Sequence, residues 1–128
     1  MKGKVGNVGK KITIERREKL AGSAIDYFVV LNLSEGEFLQ SVGRKEEFSF
    51  GFKNTFLNES NQVFTIASGE TITIDAEEEK NSFFIAAFPS PDRLFSQRIF
   101  VDEQDFDAKY AVSLKLGLYK NQFVIEKL

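Results

Sequence analysis

No cysteine, no histidine and no tryptophan occurs anywhere in the 128 residues. Without cysteine there is no disulfide, no thiolate zinc site and no thiol nucleophile. Such a chain suits a reducing compartment, so a cytoplasmic location is expected. Without histidine there is no imidazole base near neutral pH, no Ser-His-Asp relay and no histidine cluster of the kind that metal-binding barrels use. Catalysis would fall to carboxylates, Lys, Arg or Tyr. The missing indoles exclude a tryptophan platform for sugars. Long apolar runs are missing too: nothing approaches the roughly 18 residues of a membrane span. The basic start, with Lys2, Lys4, Lys10 and Lys11, is followed by no apolar stretch of signal length.

Charge of one sign is not in excess, with 17 basic and 19 acidic residues. Nucleic-acid binders gather Lys and Arg on one face. Here the only basic cluster is the start of the chain together with Arg16 and Arg17. That pattern reads as a solvated tail, and no nucleic-acid partner is expected.

What the chain does have is phenylalanine, 14 residues against three Tyr. Phe lacks the polar handle that suits Tyr and Trp to interfaces, so most of these rings are expected in a core. Residues 1–9, with Gly3, Gly6 and Gly9 among lysines, read as a flexible tail. From Lys10 onward the period is two. Ile12 and Ile14 alternate with polar neighbours, and apolar residues recur at the same spacing over Ile25 to Leu33, Phe38 to Val42, Phe48 to Phe52, Phe64 to Ile66 and Ile72 to Ile74. Phe83 to Phe88, Ile99 to Val101, Tyr110 to Leu116 and Phe123 to Ile125 complete the series. Turn residues fall between these runs at Ser34-Glu35-Gly36, Asn58 to Asn61, Ser68-Gly69, Lys80-Asn81 and Lys120-Asn121. The connections are too short for parallel crossovers. This predicts one all-β domain over residues 10–128, an antiparallel β-sandwich of about nine or ten strands, Ig-like or jelly-roll in type, with a flattened barrel as the alternative. Helix is expected only as short corners: Arg17 to Ala21, Ser90-Pro91 to Phe95, and Asp102 to Phe106.

Two strands break the rule that a sandwich strand buries one face and wets the other. Phe28 and Val30 are apolar opposite Tyr27, Val29 and Leu31, and Phe83 to Phe88 is apolar on both faces. Such strands must be covered twice. The cover is either a lid from the chain itself (a loop, the Pro91 corner or the N-terminal segment), a partner, or the wall of a closed apolar barrel.

Chemistry-bearing motifs are few. Glu77-Glu78-Glu79 before Lys80-Asn81 reads as a solvated hairpin tip. Asp102-Glu103-Gln104-Asp105-Phe106-Asp107 spaces oxygens as a calcium loop does, but lacks the central glycine and the terminal glutamate of an EF-hand, and Phe106 is expected to plug the core. The N-terminal glycines have the wrong spacing for a phosphate loop. No catalytic residue, metal ligand or cofactor is expected.

Ile12-Thr13-Ile14-Glu15-Arg16, Gly22-Ser23-Ala24, Val29-Val30-Leu31-Asn32, Ser41-Val42-Gly43 and Ser68-Gly69-Glu70 leading into Ile72-Thr73-Ile74 together resemble small bacterial β-sandwich domains of the PEGA-like kind, over residues 10–75. The resemblance implies a non-catalytic sandwich, often attached to envelope proteins, and carries over no functional residue.

The expected function is therefore a non-enzymatic binding module, acting on a protein partner or on itself through Tyr27, Phe28, Val30, Phe83 and Phe84. The rival is a carrier of a small hydrophobic ligand, with Arg98, Tyr110 and Tyr119 gripping its polar end.

Overall fold

In the computed structural model, residues 9–17, 26–42, 62–87, 94–115, 118 and 121–128 are described. They form strands β1 (Lys10–Arg16), β2 (Tyr27–Leu31), β3 (Val63–Ile66), β4 (Thr71–Ala76), β5 (Asn81–Ala87), β6 (Leu94–Phe95), β7 (Ile99–Val101), β8 (Asp107–Lys115) and β9 (Gln122–Lys127), with one helix, α1 (Glu35–Val42). Two sheets pack face to face. One runs β4-β1-β8-β9; in the other β3-β2-β5 is continued along the far edge of β5 by β6 and β7 in turn. The architecture is an all-β sandwich and does not close into a barrel. Among the described strands pairing is antiparallel except between β1 and β8, which run parallel.

The period-two pattern decides which residues meet between the sheets. β1 sends Ile12 and Ile14 inward and Lys11, Thr13 and Glu15 outward. Tyr27, Val29 and Leu31 of β2, Phe83, Ile85 and Ala87 of β5, and Ala108, Tyr110 and Val112 of β8 complete this layer. Edge-to-face contacts lock it, Phe83 on Tyr110 at 5.1 Å and Tyr27 on Phe123 at 5.0 Å between ring centroids. Each fully buried aliphatic or aromatic side chain of this kind contributes about 1.5–3 kcal/mol.

The helix stands where a strand was expected from Phe38, Gln40 and Val42. Its origin is local. Ser34 Oγ accepts the Glu37 N–H at 3.0 Å, and a Glu37 carboxylate oxygen accepts the Ser34 N–H at 2.8 Å. This reciprocal pair satisfies two donors that a helix start leaves over. Ser34-Glu35-Gly36 is thus a helix entrance rather than a turn. Phe38, 1% exposed, then packs on Val30, Val63, Phe84 and Ala86 of the β3-β2-β5 sheet. That is cover of the kind the doubly apolar strands require, and α1 supplies it; the N-terminal segment lies outside the described residues. Of the Pro91 corner, Ser90 to Arg93 lie outside the described residues, and Leu94 and Phe95 are strand, not helix. The expected elements at Phe48 to Phe52 and Glu18 to Ala21, and the tail over residues 1–8, also lie outside the described residues.

Two cations assigned to a solvated tail sit inside. Lys10 and Arg16 occupy the inward positions at the two ends of β1. Arg16, 2% exposed, donates to the Ile66 carbonyl at 2.9 Å and lies 3.6 Å over the Tyr27 ring. It joins β1 to β2 and β3 across the layer. Lys10 reaches the Glu79 carbonyl at 2.8 Å and the Phe106 ring at 5.2 Å. Phe106 is 48% exposed and does not plug the core.

Candidate functional site

Asn32 organises one end of the sandwich. Its φ of 59° is left-handed, a conformation Asn tolerates better than most residues. The twist ends β2 and swings the chain toward α1. The side chain replaces the strand it interrupts: Oδ1 accepts the Ser82 N–H at 2.9 Å, and Nδ2 donates to Asn81 Oδ1 at 2.9 Å. Asn81 in turn donates to the Glu78 carbonyl at 2.9 Å, which anchors the β4–β5 turn. Arg98 closes the group from the other side. It donates to Ser82 Oγ at 2.7 Å and to the Leu33 carbonyl, with its guanidinium 5.2 Å from the Phe84 ring centroid.

Two clefts open beside this network, sharing Asn32, Gln62 and Glu78. The first, about 530 Å³, lies over Leu33, Ser34, Lys80, Ser82 and Arg98. The second, about 540 Å³, enters between the sheets on the side where β3 and β4 are the edges. Its apolar lining is Leu31, Phe64 and Ile74; its polar rim includes Thr73, Asp75, Glu77 and Glu78. Asp75 is bound to Lys11 at 2.6 Å, whereas Glu77 and Glu78 form no ion pair among the described residues.

The β3–β4 connection fixes this geometry. Gly69, at φ 73°, allows the tight turn by which the chain crosses from one sheet to the other. The turn is closed by the Glu70 N–H on the Ala67 carbonyl and by a Glu70 carboxylate oxygen on the Ala67 N–H. Strands β3 and β4 therefore border the same open side. Along β4 the hydrogen-bond alternation is fixed by its neighbour. The Lys11 and Arg17 N–H groups bond to Phe106 and Val112 of the β8 side, so odd-numbered β1 residues face β8 and even-numbered ones face β4. The Arg16 N–H on the Glu70 carbonyl agrees. Ile72, Ile74 and Ala76 thus spend their main-chain groups on β1, and those of Thr71, Thr73 and Asp75 point away from the sheet.

The residues expected to form an interface do not line these openings. Tyr27 and Phe83 face inward, and Val30 and Phe84 lie buried beneath α1. Phe28 is half-buried, its ring 6.3 Å from that of Phe38. The face expected to meet a partner is core, because the chain folds its own helix onto it. Nor do the expected ligand-gripping residues converge. Tyr110 belongs to the inter-sheet layer, where burial raises its hydroxyl above the usual pKa. Arg98 lies on the far side of the β5 sheet, bonded to Ser82 and Leu33. Tyr119 lies outside the described residues.

In the Asp102–Asp107 loop the oxygens serve the turn itself. Asp102 Oδ1 accepts the Gln104 N–H at 2.9 Å, Asp105 Oδ1 accepts the Asp107 N–H at 3.2 Å, and Asp105 Oδ2 meets Lys127 Nζ at 2.9 Å. Lys127 first, and the Asp107 N–H second, hold the Asp105 carboxyl below the usual carboxylate range. Among the described residues no group of three or more Asp or Glu side chains is placed to hold a metal ion, and no helix is long and apolar enough to cross a membrane.

No protein-family model and no curated protein matches this chain. The edge of β4 is what sequence reasoning missed. Its signal was present in Thr71, Thr73 and Asp75, but edge position depends on a sheet order that alternation alone does not contain.

Proposed function

We propose that this is a non-catalytic β-sandwich that binds another protein by recognising it at a sheet edge. The observation that carries this reading is the outward-facing main chain of Thr71, Thr73 and Asp75 beside an apolar-floored cleft. Main-chain groups on an open edge supply affinity to an added strand, and adjacent pockets sort its side chains. The broad faces support the same reading by elimination. One is covered by α1, and the other is mainly Thr, Lys, Glu and Asp, with Ala111 and Val124 among them, and favours solvent.

The resemblance to PEGA-like sandwiches, which implies no catalysis, agrees with this assignment. Selection of displayed peptides against the purified chain, followed by calorimetry and native mass spectrometry, tests it. Specific peptide binders and a protein mass free of small molecules are expected. A co-purified lipid, with no peptide enriched, would overturn the reading in favour of a hydrophobic-ligand carrier.

A further inference from the structure

Resting on that reading, we infer that the docking edge is β4 and that its partner is an extended segment carrying basic residues, laid along Thr71–Asp75 with alternate side chains entering the cleft between β4 and β3. Three features converge on this strand. Among the described residues no strand pairs with its outer edge, which is in regular register over Thr71, Thr73 and Asp75, and it carries neither proline nor lysine, the residues that commonly blunt such edges. On the inner side, Phe64 and Ile72 are only half-buried, leaving apolar surface at the mouth of the sandwich that an added strand would cover. Carboxylates bracket the edge, with Glu70 at its start and Glu77, Glu78 and Glu79 past its end.

Charge decides between partners. A second copy pairing antiparallel about Thr73 would set Thr71 against Asp75 and bring Glu70 of each copy beside Ala76 and Glu77 of the other. Like charges at both ends oppose that arrangement. A strand with Lys or Arg at its ends meets opposite charge at the same places, with Glu77 and Glu78 free to pair. The other edges of the described residues suit it less. β3 turns main-chain groups outward only at Val63 and Thr65, since Gln62, Phe64 and Ile66 face β2. β9 carries its own Lys127 on the strand, and β6 and β7 present an edge broken between Phe95 and Ile99.

The test uses the full chain and a short blocked peptide alternating Val and Thr between pairs of Lys, with a Glu-flanked peptide as control. Amide hydrogen exchange is the readout. Slowed exchange at Thr71, Thr73 and Asp75 is expected, with binding weakened by salt and for the Glu-flanked peptide. Thr73→Pro removes an N–H that points away from β1, so the fold is retained, as circular dichroism checks. Binding should fall by about tenfold or more, since a ladder donor is lost and the ring blocks approach. Thr73→Val keeps the N–H and should bind as before. Glu77→Lys with Glu78→Lys should reverse the preference between the two peptides.

Protection at β9 or β3 instead would overturn the assignment to β4 while leaving edge recognition standing. The assignment alone also falls if exchange stays flat although displayed peptides are selected. A dimer dissolved by Thr73→Pro would place a second copy on the edge and overturn the basic partner.

Discussion

The outer faces of the two sheets are built on opposite principles. Over the β4-β1-β8-β9 sheet, Thr73, Asp75, Lys11, Thr13 and Glu15 stand side by side. They interact with one another across strands, Thr13 with Thr73 at 3.1 Å and Lys11 with Asp75 at 2.6 Å. Over the β3-β2-β5 sheet, Phe28, Val30, Val63, Phe84 and Ala86 form a second apolar layer with α1 on top. The first face suits water as it stands, and its contacts are exposed pairs worth little each. The second lies beneath a helix, with Phe95 of β6 packed beside Phe84 in the same layer. A five-residue strand apolar on both faces is therefore a statement about its neighbours on two sides, and here the neighbours are the opposite sheet and a helix a few residues further along the chain.

The largest effect separating the faces should come from Phe38. Its ring sits 6.0 Å from that of Phe84, in edge-to-face contact, and is fully enclosed. Phe38→Ala should cost about 3–5 kcal/mol in urea unfolding, the range for removing a buried aromatic ring. Thr13→Ala on the wet face should stay within about 0.5 kcal/mol. Similar losses for the two variants would break the comparison, showing that the helix contributes no second core.

A smaller effect sharpens the question of what holds the cover in place. Ser34→Ala removes the acceptor for the Glu37 N–H and should cost about 1 kcal/mol, the usual loss for an N-cap hydroxyl. Amide exchange at Glu37 and Phe38 should quicken, whereas exchange in β1 and β8 should change less. Uniform quickening would mean that the helix and the sandwich unfold as one unit.

Strand positions were legible wherever a period of two lay between turn residues, as at Ile12–Ile14, Ile72–Ile74 and Tyr110–Leu114. The need for a second cover over Phe28, Val30 and Phe84 was legible too. The cover itself was not, because Phe38, Gln40 and Val42 alternate like a strand over too short a span to show a helical period. Ser34 and Glu37, three apart, carried the better signal, since a capping pair marks a helix start whatever the pattern of the residues after it. Lys10 and Arg16 misled for a different reason. Their charge suggested solvent, but at the inner ends of β1 they find a carbonyl acceptor and an aromatic ring. Of the candidate site, the residues of β4 were visible as a strand. Their edge position and the neighbouring cleft arise from sheet order, a property of contacts distant in sequence.

The smallest expected effect concerns charge at the rim of the wet sheet, where Lys127 of β9 holds Asp105 in the β7–β8 turn. The lowered Asp105 pKa means that the folded state favours the carboxylate. Its contribution to stability is present above the ordinary carboxylate pKa and is lost as pH falls through the lowered folded value. The raised Lys127 pKa, caused first by its hydrogen bond to Asp105, works in the other direction. Its contribution is present below the ordinary lysine range and is lost as pH rises through the raised folded value. Between those limits the pair is intact. Lys127→Met should therefore move the Asp105 titration, followed by carboxyl carbon resonance, back toward the ordinary range. It should not return fully, because the Asp107 N–H still donates to Asp105 Oδ1. Midpoint stability near neutral pH should scarcely change, as expected of a surface pair in solvent. An unmoved titration would assign the depression to the Asp107 amide alone, and the turn would then be held by its own backbone rather than by β9.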